Sequence, residues 1–172
     1  MPYILVSPLS AVDTAIAAHR PSHMVTLLSP KHMIETPSGF PVARHLRLDF
    51  NDVADIAAGT HPPSREHIDA LLHFLRDWDG RAPYLIHCWA SVRRSMASAY
   101  TLLCDRMSPW REIEIARAMR RRAPHAAPNR LLVAHADSIL GRDGRMIAAL
   151  NTMGPARMVE EDVTTELPLT DL

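Results

Sequence analysis

Glutamine is missing from this chain altogether, and lysine occurs once, at Lys31. Positive charge therefore rests almost wholly on arginine, and 19 basic residues balance 19 acidic ones to a formal net charge of zero. Such a balance gives no electrostatic reason to expect nucleic acid or a membrane surface as partner. The two cysteines, Cys88 and Cys104, are too few for a disulfide framework. A reducing, cytoplasmic setting is the expectation, one that also leaves a thiol free to react. No histidine pair has metal-ligand spacing backed by carboxylates or thiols, so neither a metal nor a cofactor is expected. The apolar run at Met1 to Ser7 has no basic residues before it and is too short for a signal peptide or a membrane span. It reads as a first strand.

At 172 residues the chain is long enough to bury a core without staples. The expected organisation is one domain over 1–159 and a weakly patterned, acidic tail over 160–172, either disordered or packed on a neighbour. Apolar, β-prone runs predict strands at Tyr3 to Val6, Met24 to Leu28, Arg44 to Leu48 and Pro83 to His87. Helices are predicted over Ala11 to His19 with Ser10 as a cap, from Ser64 to the Asp79-Gly80 turn, and over Ser95 to Arg106. Others are predicted from Pro109 to about Arg122 and from Pro128-Asn129-Arg130 to Leu140. Ser64 followed by His67 gives a cap short of a full capping box. Ser29 to Pro41, rich in proline and short polar residues, predicts a surface loop. Alternating strands and helices in the first half indicate an α/β fold: a short, mainly parallel central sheet flanked by helices.

The most informative segment is His87-Cys88-Trp89-Ala90-Ser91-Val92-Arg93-Arg94-Ser95. It joins a predicted strand to a predicted helix and sets five residues between a cysteine and an arginine. At such a turn, unpaired backbone N–H groups and the helix dipole favour an anion, and a thiolate is favoured for a cysteine beside them. Arg94 adds a planar fork able to bond two phosphoryl oxygens. An arginine at a helix N-terminus opposes the local dipole, which an anionic ligand would explain.

These residues resemble the signature of the cysteine-dependent protein tyrosine phosphatases: His-Cys, five residues, Arg, then Ser or Thr, here His87, Cys88, Arg94 and Ser95. One position departs from it. The family usually has glycine three residues after the cysteine, where this chain has Ser91, so the loop is expected to be strained or reshaped there. The resemblance implies a phosphatase-like fold and a metal-independent phosphomonoester hydrolase of the dual-specificity or atypical bacterial type. Cys88 would be the nucleophile that forms a phosphocysteine, and Arg94 with the amides of Trp89, Ala90, Ser91, Val92 and Arg93 would hold the phosphoryl oxygens. His87 would orient the loop and tune the thiol, and Ser95 would ease the departure of the sulfur.

The leaving group needs a proton. The resemblance places its donor on a separate loop before the cysteine, which selects Asp52, with Asp49 as runner-up and Asp55 behind them. By their residue type alone, the aspartates read more readily as caps or turn residues than as the acid. Asn129 is either a helix cap or an aid to water activation, Cys104 a core residue, and the arginines at 117 and 120–122 a solvated face. The expected partner is a phosphorylated protein or a small phosphomonoester. A second reading is a catalytically weak reader of phosphorylated ligands, on account of Ser91. Sulfur transfer and arsenate reduction fit less well, because of the loop spacing and its mid-chain position.

Overall fold

In the computed structural model, residues 3–56, 60–159 and 163–170 are described. β1 (Tyr3–Pro8), β2 (His23–Leu28), β3 (His45–Asp49), β4 (Tyr84–Cys88) and β5 (Thr165–Pro168) form one sheet in the order β3-β2-β4-β1-β5. β1 with β4, β2 with β4 and β2 with β3 run parallel, and β5 alone is antiparallel, against β1. The helices are α1 (Val12–His19), α2 (Arg65–Leu75), α3 (Arg94–Arg106), α4 (Glu112–Arg122), α5 (Arg130–Ile139) and α6 (Arg145–Asn151). The mainly parallel α/β sheet that the sequence implies is present. Among the described residues, no helix is long and apolar enough to cross a membrane.

The period of two along each strand sorts the core into two faces. Ile4, Val6, Val25, Leu27, Tyr84 and Ile86 enter the large cluster with residues of α2 to α6, whereas Leu5, Met24 and Leu85 meet Val12 and Ala15 of α1. Strands buried on both faces read as continuous apolar runs, which is why β1, β2 and β4 are legible in the sequence. Cys88 shares the parity of Tyr84 and Ile86 and closes the large cluster at the carboxyl end of the central strand. His87 and Thr26 point the other way.

Several boundaries differ from the sequence reading. Ser10 lies inside a 3-10 turn, Leu9–Ala11, and α1 starts at Val12 with no side-chain cap bond. Pro109 does not open α4: Trp110 is left-handed at φ 77°, which delays the helix to Glu112. There the exposed indole lies under the Arg145 guanidinium, 4.0 Å from the ring centre. α2 ends at Leu75, ahead of the predicted turn. At its start His67 does complete the capping box, its Nδ1 accepting from the Ser64 N–H at 3.0 Å. Thr165–Pro168, assigned to the tail by its weak pattern, is the edge strand β5, with Leu167 fully buried. Arg120 is not on a solvated face: it donates to the carbonyls of Met153, Pro124 and Gly154 and ties α4 to the chain beyond α6.

Candidate active site

β4 and α3 are joined by residues 89–93, which form a loop at the carboxyl edge of the sheet. Three of its carbonyls are held from outside. Trp89 C=O accepts from the Leu9 N–H at 3.2 Å, Val92 C=O from Ala127 at 3.0 Å, and Arg93 C=O from Asn129 at 3.2 Å and from Ala97. Among the described residues, no N–H of 89–93 takes part in these loop bonds. Carbonyls turned outward leave amides free to converge inward, the arrangement that binds an oxyanion.

Cys88 is 3% exposed, and its Sγ lies 3.1 Å from Ser95 Oγ, on the first turn of α3. Arg94 is 6% exposed; one Nη donates to the Phe50 carbonyl at 3.0 Å while its buried Nε has no partner. A buried guanidinium donor without a partner is costly unless a ligand completes it. Trp89 is exposed at the rim and meets the His32 ring edge to face at 5.1 Å. Ser91 takes φ 53°, the left-handed region, where the signature has glycine. Its hydroxyl donates to the Val163 carbonyl at 3.2 Å.

Behind the loop runs a partly buried chain of polar side chains. Thr26 Oγ1 stands 2.6 Å from His87 Nε2 and 2.7 Å from His45 Nε2, and His45 Nδ1 lies 2.9 Å from Thr36 Oγ1. One hydroxyl proton can serve only one ring nitrogen, so at least one of the two imidazoles donates to Thr26. Burial above all, with the nearby His45 and Arg94, pushes His87 down to about 4. His45 is likewise pushed down to about 4, by burial first and then by Arg47. Both rings are thus neutral at pH 7. Neither Thr26 nor His45 stood out in the sequence, because they meet His87 only through the pairing of three strands.

Asp52 faces the loop from the segment after β3. Arg93 Nε lies 3.1 Å from each of its carboxylate oxygens, and Asn129 Nδ2 donates to Oδ1 at 2.7 Å. Asn129 also caps α5, its Oδ1 accepting from the Leu132 N–H at 3.1 Å, which fits the helix-cap reading. Asp49 instead turns toward His61, at 3.6 Å, and Asp55, like Asp52, is exposed. Cys104 is buried in the core, and burial first of all raises its thiol to about 12.

With this geometry in place, comparison with solved structures defines the fold as protein tyrosine phosphatase-like. The structure of PTPMT1 in complex with PI(5)P matches with a TM-score of 0.57 at 14% identity, over 80% of this chain and 90% of that one. The Yvh1 phosphatase domain from Chaetomium thermophilum matches with a TM-score of 0.57 at 16% identity, over 85% of this chain and 99% of that one. No protein-family model matches the sequence, and no curated protein matches it either.

Proposed function

We propose that this chain is a phosphomonoester hydrolase of the cysteine-dependent type, working through a phosphocysteine. The observation that carries the reading is the loop around Cys88, with the Trp89, Val92 and Arg93 carbonyls bonded outward and the unpartnered Arg94 Nε beside it. In the first step the Cys88 thiolate attacks phosphorus, the ester P–O bond breaks, and the departing oxygen takes a proton from Asp52. In the second, water attacks phosphorus, Asp52 takes up the water's proton, and the sulfur leaves as thiolate toward the Ser95 hydroxyl, 3.1 Å away. Arg94 and the amides of Trp89, Ala90, Ser91, Val92 and Arg93 hold the charge on the equatorial oxygens throughout. His87 positions the loop from behind. The scheme calls for no metal or cofactor, and its thiolate suits a reducing compartment such as the cytoplasm.

The substrate is a phosphorylated protein or a small phosphomonoester; the phosphoinositide in the PTPMT1 structure is an example of the latter class. Arg93, the one extra basic residue of the loop, is engaged with Asp52 in the free protein. That pairing supports the second reading, a weakly catalytic phosphate reader, since one Asp52 oxygen has to leave Arg93 before it can carry a proton. Turnover of p-nitrophenyl phosphate decides between them. Steady hydrolysis abolished by Cys88→Ser supports the enzyme. Phosphate binding without hydrolysis supports the reader, and neither binding nor hydrolysis defeats both.

A further inference from the structure

A left-handed backbone is tolerated by glycine and disfavoured for any residue with a Cβ, so Ser91 at φ 53° needs something to hold it there. Ser91 is 1% exposed, and its Oγ donates to the Val163 carbonyl at 3.2 Å, across 72 positions of sequence. Val163 lies two positions before Thr165, which opens β5 and pairs with Val6 of β1. β1 in turn pairs with β4, Pro8 opposite Cys88. The acceptor that holds the loop and the strand that carries the nucleophile thus share one frame. On the other side, the next carbonyl in the loop, that of Val92, is fixed by the Ala127 N–H.

We infer that Ser91 is a positioning residue of the phosphate loop, its hydroxyl tethered to the Val163 carbonyl so that the chain beside β5 holds the left-handed turn that glycine adopts unaided. The inference rests on the phosphate-site reading above and assigns a role in the site to the C-terminal segment. Glycine at 91 relieves the backbone and needs no tether. Alanine keeps the Cβ and loses the only side-chain donor, so the two substitutions separate a tether from mere packing. A serine that only satisfies its own buried hydroxyl would leave the alanine variant unimpaired at the phosphate.

The test compares wild type, Ser91→Ala and Ser91→Gly in the full chain, reading kcat/KM for p-nitrophenyl phosphate and the dissociation constant of inorganic phosphate by calorimetry. The expected result is that Ser91→Ala falls about tenfold below Ser91→Gly in both readouts. Ser91→Ala equal to wild type in phosphate affinity, or both variants falling together, overturns the inference. If wild type binds phosphate without turnover, the affinity order alone decides the tether while the enzyme reading fails. If wild type binds no phosphate, both fall.

Discussion

Arg93 Nε sits 3.1 Å from both carboxylate oxygens of Asp52, bridging the loop after β4 to the segment after β3. The pair is partly exposed, with side-chain exposures of 39% and 28%, so it is weak in water and easily exchanged. A phosphoryl group entering the loop offers Arg93 a competing anion, and its departure from Asp52 would free the acid at the moment when the substrate is bound. Asp52→Asn should therefore lower kcat about a hundredfold for an alkyl phosphate and only a few-fold for p-nitrophenyl phosphate, whose leaving group hardly needs a proton. Rates for a series of leaving groups check this. A loss equal across the series would remove Asp52 from the acid role, whereas Asp49→Ala, its side chain turned toward His61, should leave the series unchanged.

Asn129 links stability to the site, and the two can be separated. Asn129→Ser retains a good cap for α5 but loses the Nδ2 donor that reaches Asp52 at 2.7 Å and the Val53 carbonyl at 2.9 Å. Its urea midpoint should stay near wild type while kcat falls several-fold. Asn129→Ala loses the cap as well, and should be less stable by about 1 kcal/mol.

His87 should make the protein acid-sensitive. Its folded value of about 4 lies below the ordinary 6.5, so between those values the unfolded chain takes up a proton that the folded one refuses. Stability is intact above pH 6.5 and is lost as pH falls toward 4, by up to about 3 kcal/mol from this group. His45, held at about 4 as well, acts in the same direction. Urea unfolding at pH 7 and pH 4.5 measures the slope, which should be shallower in His87→Gln. An unchanged slope would show that the ring is not the source.

Glu112 and Arg142 form a pair at 3.7 Å with side-chain exposures of 5% and 8%, joining α4 to the turn before α6. Arg142 also donates to the Cys104 carbonyl at 2.7 Å, and Arg145 is the second cation near Glu112, at 3.4 Å. Removing Arg142 leaves the buried Glu112 carboxylate with Arg145 as its one cation in this cluster and takes a donor from the Cys104 carbonyl. Arg142→Met should cost about 3 kcal/mol in chemical denaturation, with little effect on phosphate affinity in the fraction that remains folded.

The sequence by itself determined the parts of this protein that are written locally. The apolar runs of β1, β2 and β4 and the helical spacing of Ile68, Leu71, Leu72 and Leu75 depend only on which neighbours share a face. The segment from His87 to Ser95 is legible for the same reason: strand, turn and helix lie within nine consecutive residues. The delayed start of α4 was illegible because the left-handed Trp110, stacked under Arg145 from α6, overrides the proline signal. β5 was illegible because a four-residue edge strand takes its register from β1 and carries little pattern of its own. Only the tertiary structure decided what surrounds the loop. Pairing of β2 with β3 and β4 brings Thr26 between His87 and His45, and the return of the chain to β1 brings the Val163 carbonyl to Ser91. These contacts join residues 19 to 72 positions apart, where no sequence period operates and only the closing of the sheet fixes the distance.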